Sequence, residues 1–382
     1  MKKRTTLLLP VLFSALLFLC GFEVGGGQLV ISQIAGEYNA GEIGIGLIVF
    51  VQYLAAVLMP ITFGSLADRV GKKRILLIFI ALFSLGSLLV WRGNALWSLI
   101  VGIFLIGSGY SVSESVSSAI LTDTYGAQSS RYINLIECAL SIGAMVAPLI
   151  LPRLEQRSWR TLFAILCVGA LVVLLPLIPV PVVKKESEGT KLSLRSVTGL
   201  FRLPIFALLF GAIILYVGLE NGFGYFVESL FADRLGSADF GAYAIFAYWL
   251  GMAVSRVICA MDKGSPYRLL LLCFGVITAL FIALSCTASA TAALILSGLI
   301  GFAYGPVWGD LMSLATRLRS EESATAAGVM STGCGLGGAF FPILMGAVAQ
   351  TMDIRFAFFL LAATAAAGGV LCFFAARRAK KA

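Results

Sequence analysis

Seven ionisable side chains stand inside long apolar stretches: Glu23, Glu114, Glu137, Glu220, Glu228, Arg256 and Asp310. A charge in hydrocarbon costs several kcal/mol, so such groups face a partner, a cavity or an ion path. Glu114 lies mid-stretch in YSVSESVSS (110–118). A carboxyl there can hold a proton in one state and accept a hydrogen bond from a bound molecule in another. Glu23 is followed by Gly25, Gly26 and Gly27, while Glu220 and Asn221 lie among Gly218, Gly222 and Gly224. Glycines let a helix bend or pack closely beside an acid. Glu137 lies about two helical turns into its stretch, where it can line a cavity or form a gate. Glu23, Glu114 and Glu137 are therefore the candidates for proton work. Gln52, Asn134, Tyr225, Trp249, Tyr304 and Trp308 also lie within apolar stretches. With Glu114, Glu137, Glu220 and Asn221 they make a candidate binding set, in which a ring such as Trp308 offers an apolar face and one donor. Each residue has a structural alternative. Glu114 can be a partner for Arg256, Ser113 or Ser117, Glu220 can belong to a capped kink, and any single aromatic can be packing. Arg256 and Asp310, towards the ends of their stretches, read as internal ion-pair members, and Glu228 reads as solvated.

The elements that must position these groups are membrane helices. Of 382 residues 59% are hydrophobic and 12% charged, against roughly 25% charged in a soluble domain. Twelve apolar runs recur: 6–33, 44–66, 75–92, 96–122, 131–151, 160–180, 204–231, 240–260, 268–286, 291–314, 324–349 and 356–375. Each is long enough to cross about 30 Å of hydrocarbon. The first resembles a secretory signal, but it continues without a small-residue cleavage site and reads as a retained span.

Polar segments fix the topology. GSLADRVGKKR (64–74), with glycines at 64 and 71, gathers Asp68, Arg69, Lys72, Lys73 and Arg74 between the second and third runs. So charged a segment must be a tight loop at a membrane face. Most of the 28 Lys and Arg fall on the side of that loop, which makes the loop and both termini cytoplasmic. The outer loop with Arg153, Arg157 and Arg160 runs against this trend. KKESEGTKLSLR (184–195) reads as part of a cytoplasmic linker, 184–202, between halves 1–183 and 203–382. At a constant offset Asp68 falls on Asp262, LIGSGY (105–110) on LIGFAY (299–304), and Gly143 and Pro148 on Gly337 and Pro342. Several matches at one offset indicate an internal duplication.

Gly64, Leu66, Asp68, Arg69, Gly71, Lys72 and Arg74 resemble the loop signature between the second and third helices of the major facilitator superfamily. The resemblance covers essentially the whole chain. It implies an all-α membrane protein with twelve transmembrane helices in two pseudo-symmetric six-helix halves, and a site between them near the midplane. It also implies that Gly64, Asp68, Arg69, Gly71, Arg74 and Asp262 gate the cytoplasmic side, latching the halves in the outward-facing state. LYVGLENG (215–222), YWLGMAVSR (248–256) and GFAYGPVWGDLMSLATR (301–317) are similar to counterparts in fucose-permease-like sugar transporters. Glu114 and INLIECALSIGA (133–144) resemble that group's fourth and fifth helices, which carry substrate- and proton-linked residues. GAMVAPLIL (143–151) lacks most of the glycines of the drug-antiporter fifth helix.

The resulting expectation is a secondary transporter of the bacterial inner membrane, working by alternating access as a monomer. Its leading activity is uptake of a small polar solute such as a sugar, coupled to protons or to sodium. Proton-driven efflux of an amphipathic compound is the alternative, and a membrane sensor on the same scaffold is the third. No nucleotide-binding loop is present, so neither enzyme nor ATPase is indicated. Eight cysteines without a CxxC pair and no histidine give no metal or cofactor site. The net charge of +9 is spread over short clusters at span ends, which argues for lipid and against nucleic acid.

Overall fold

In a computed structural model the chain is described over residues 3–38, 41–151, 158–182, 194–237, 239–261 and 265–380. The first half contains α1 (Lys3–Glu37), α2 (Gly41–Val70), α3 (Lys72–Arg92), α4 (Leu96–Tyr125), α5 (Ser129–Ile150) and α6 (Arg160–Leu177). A short helix, α7 (Leu194–Phe201), leads into α8 (Pro204–Ser229), α9 (Asp239–Met261), α10 (Pro266–Cys286), α11 (Ala290–Tyr304), α12 (Val307–Leu318), α13 (Ser323–Thr351) and α14 (Ile354–Ala379). The described residues form no strand. This follows from the solvent: in hydrocarbon a helix satisfies its own backbone groups, and an open strand cannot.

Small residues set how closely the helices approach. A methyl group on Gly143 would lie 2.0 Å from the Phe18 carbonyl oxygen, and one on Gly337 would lie 2.2 Å from that of Ile214. These two glycines match at the internal offset, and each lets the fifth helix of its half lie against the first. Gly107 and Gly301 repeat the pattern between fourth and second helices, against the carbonyls of Gln52 and Tyr248. The duplication is thus a duplication of contacts.

The halves meet along two seams, α2 with α13 and α5 with α9. On the first seam Gly64 and Gly328 face each other. Methyls there would stand 2.4 Å from the Ala324 oxygen and 2.0 Å from the Pro60 oxygen. The Thr332 hydroxyl donates to the Val57 carbonyl across the same seam at 2.9 Å.

The structure refines the sequence pattern at four places. The tenth span is broken at Gly305–Pro306 into α11 and α12, because proline supplies no amide to the helix ladder. The seventh helix runs unbroken to Ser229 and ends in a π-helical turn, Leu230–Arg234. The polar linker includes α7, whose leucine, valine and phenylalanine spacing gives one apolar face. Helices α1 and α2 exceed the apolar runs at both ends, since a hydropathy boundary marks hydrocarbon and not the helix.

Candidate functional site

The acids flagged by the sequence come together through Arg256. From α9 its guanidinium reaches across the second seam to α5, where Nη1 donates to the Glu137 carbonyl at 2.7 Å and to the Ser141 hydroxyl. Nη2 lies 3.5 Å from the Glu137 carboxylate. Nε donates at 3.0 Å to the carbonyl of Gly305, at the break in the tenth span. One side chain therefore ties the broken helix of the second half to the fifth helix of the first. Asp310 accepts from the Ser130 hydroxyl and, at 3.4 Å, from the Asn134 amide.

Glu114 and Glu220 complete the charged group, since both interact electrostatically with Arg256, and Glu114 and Glu137 do so with each other. Of the three carboxyls, Glu137 forms the ion pair with the guanidinium, and Glu114 and Glu220 stand within its electrostatic reach. Glu114 accepts from Tyr110 at 3.2 Å, and not from Ser113 or Ser117, whose hydroxyls find no partner among the described residues. Glu220 has Tyr216 at the same spacing, four residues earlier, within reach though without a well-formed hydrogen bond. Glu23 stands apart and takes both its oxygens to Gln52, at 3.1 and 3.2 Å. Glu23, Glu114 and Glu137 are 4%, 5% and 2% exposed, so the protein is closed around them. One Glu137 oxygen, Oε1, is buried without a partner.

The remaining candidates divide. Trp308 and Tyr304 are buried on either side of the Gly305–Pro306 break. The Tyr304 ring lies tilted against that of Tyr216, with centroids 5.3 Å apart. Trp249 packs on Tyr248. Asn221 accepts from Tyr53 at 2.7 Å, another bridge between the halves. The side chains of Tyr225 and Glu228, and Asp262 entirely, lie outside the described residues. Sequence reasoning passed over Tyr110, Tyr216, Tyr248, Tyr53 and Ser141. The tyrosine one turn before Glu114 and before Glu220 was a legible signal.

A second cluster closes the end of the bundle that carries GSLADRVGKKR. Helix α13 begins without a capping side chain of its own. Asp68 of the other half supplies it, accepting from the amides of Ala324 at 3.2 Å and Thr325 at 2.7 Å and from the Thr325 hydroxyl at 2.8 Å. The acid thus caps a helix of the opposite half, and not its immediate neighbours in the chain. Lys72 pairs with Asp68 at 3.1 Å and with Asp123, which in turn accepts from Ser323 at 2.8 Å. Thr122 and Thr316, equivalent by the duplication, hydrogen-bond each other at 2.9 Å, and Ser129 meets Ser313 at 2.7 Å. Gly71 has φ 115°, which only glycine adopts readily and which turns α2 into α3. Arg69 and Arg74 are exposed, so of the loop's cations Lys72 carries the contact with Asp68. Lys73 caps the carbonyls of Ile178 and Val180.

At the opposite end the described ion pairs stay within a half. Arg160 binds Glu37 at 2.5 Å and the Gly93 carbonyl at 2.7 Å, all in the first half. Arg234 binds Asp353 at 3.1 Å within the second.

The chain resembles known proteins in the same terms. It is 25% identical over 253 residues to the inner membrane transport protein YajR of Escherichia coli (strain K12), covering 63% of this chain and 54% of that protein. It is 32% identical over 144 residues to the multidrug resistance protein MdtL of Shewanella sp. (strain ANA-3), covering 37% and 36%. The chain thus spans about half of YajR and about a third of MdtL. The E. coli fucose:proton symporter FucP superposes with a TM-score of 0.84 at 17% identity, over 97% of this chain and 99% of that one. The family model described as Major Facilitator Superfamily matches residues 11–341. With twelve membrane crossings in two pseudo-symmetric halves, the chain belongs to the Major Facilitator Superfamily.

Proposed function

We propose that the protein is a secondary transporter that takes up a small polar solute, with a sugar as leading class, in symport with protons across the bacterial inner membrane. Both termini and the 64–74 loop are placed on the cytoplasmic side by the distribution of Lys and Arg. The halves 1–183 and 203–382 rock about the buried charged group, exposing it to each side in turn.

The observation that carries this reading is the buried Arg256–Glu137 pair between the halves, with the buried carboxyl of Glu114 held by Tyr110 in the same interior. Glu137 pairs with that guanidinium, which leaves Glu114 to carry the proton. A solute that competes for Arg256 or Glu137 then changes which carboxyls hold protons. That links its binding to theirs through a shared partner, and the linkage is reciprocal. Asp68 and the α13 terminus keep the cytoplasmic side shut while the outer ends of the halves are free to separate. Proton-driven efflux of an amphipathic compound is the second reading, supported by the partial likeness to a multidrug resistance protein.

The test is solute uptake into proteoliposomes over a panel of sugars and amphipathic cations, with and without a pH gradient. Symport predicts accumulation driven by an inward proton gradient. Glu114→Gln should abolish that drive while retaining counterflow. Equal behaviour of wild type and Glu114→Gln, with neither responding to pH, sinks the proton role of Glu114.

A further inference from the structure

Away from the central group, a surface crevice of about 450 Å³ opens between α7, α8 and α14, on the membrane face that carries the 64–74 loop. Phe201, Pro204, Ala207, Leu208, Phe374 and Arg378 line it, five apolar side chains and one cation. Phe201 and Phe374 are 39% and 48% exposed, an apolar surface that acyl chains cover favourably. Arg378 closes the last turn of α14, beside the exposed Arg377 and Lys380. Arg202 is exposed where α7 meets α8. No acid lines the crevice, and Arg378 makes no described ion pair. The α7 helix that forms one wall turns the buried Leu200 inward and lies at the end of the linker joining the halves.

We propose that this crevice binds one anionic glycerophospholipid of the cytoplasmic leaflet. The phosphate sits against Arg378 with Arg202 beside it, and an acyl chain lies along Phe201, Leu208 and Phe374. A guanidinium can meet a phosphate through two parallel hydrogen bonds, which gives the site a preference that a diffuse basic surface lacks. Because α7 also approaches Arg319 of the second half, near Gly199, an occupied crevice holds the linker helix against α8 and steadies the end that Asp68 closes.

The test is native mass spectrometry of the full chain released from mixed micelles of phosphatidylglycerol and phosphatidylcholine. Wild type should retain one phosphatidylglycerol in preference to phosphatidylcholine. Arg378→Gln should lower that preference about fivefold, the value of one interfacial cation. Arg92→Gln, at the opposite membrane face, should leave it unchanged. Inorganic phosphate at millimolar concentration should fail to displace the lipid. Equal retention by wild type and Arg378→Gln overturns the site. Equal retention of phosphatidylcholine, or full displacement by inorganic phosphate, overturns the assignment to an anionic lipid. Thermal unfolding of both variants in phosphatidylcholine nanodiscs checks that they fold alike.

Discussion

Removing the Asp68 carboxylate should open the end of the bundle that it closes. Its oxygens accept three hydrogen bonds from Ala324 and Thr325, and its side chain is 4% exposed. A helix cap contributes about 1 kcal/mol, and a partly buried carboxylate at a helix N-terminus up to about 2 kcal/mol more. Lys72 keeps Asp123 as a partner, so no buried cation is abandoned. Asp68→Ala should therefore shift the closed-to-open ratio by about 3 kcal/mol, or roughly 100-fold. Asp68→Asn keeps an acceptor and loses the charge, so about 2 kcal/mol and roughly 30-fold is expected. The reporter is Ser313→Cys in a background freed of native cysteines. Ser313 is fully buried against Ser129 at the same end and is reached only when the halves part. Its labelling rate with an impermeant maleimide tracks the open population. The order should be Asp68→Ala, then Asp68→Asn, then parent. Rates within twofold of one another would show that Asp68 does not close this end.

Gly328→Val drives a side chain into the Pro60 carbonyl, 2.0 Å from where its Cβ must go, so α2 and α13 must separate. Expected are a lowered unfolding temperature and faster Ser313→Cys labelling, whereas Gly275→Ala, with open space around it, should change neither. Arg256→Ala leaves Glu137 buried and unpaired and should destabilise by about 3–5 kcal/mol. The double variant Arg256→Met with Glu137→Leu should recover much of that in thermal unfolding while transport stays lost. At the opposite end, hydrogen bonding from Trp159, with Arg160 adding to it, holds the Glu37 carboxyl below its ordinary value of 4.5. A depressed folded-state value means the contribution is present above pH 4.5 and is lost as pH falls through the folded value. Glu37 is 45% exposed, so the effect is about 0.5 kcal/mol. Wild type and Glu37→Gln should differ slightly in unfolding temperature at pH 7 and converge by about pH 3. A constant gap across that range would refute it.

Hydropathy alone located the membrane crossings, because insertion into hydrocarbon is decided segment by segment. The glycines of the duplication and the 64–74 loop were equally legible, since tight turns and close helix crossings admit few residue types. The break at Gly305–Pro306 was written in the dipeptide, though the long apolar run around it concealed it. The partners were not legible. Asp68 reads as part of a charged loop, yet it caps α13, whose amides lie some 256 positions along the chain. Arg256 reads as a loop-side ion-pair member, yet it finds Glu137 and Ser141 across the seam. Which charges meet depends on the depth of each residue, the rotation of its helix and the crossing angle that the facing glycines permit. Those are properties of pairs of helices, and no single segment carries them. The sequence therefore determined which groups must find partners in the membrane, and the tertiary structure decided that Arg256 would meet Glu137 across the seam and Asp68 would act across the halves.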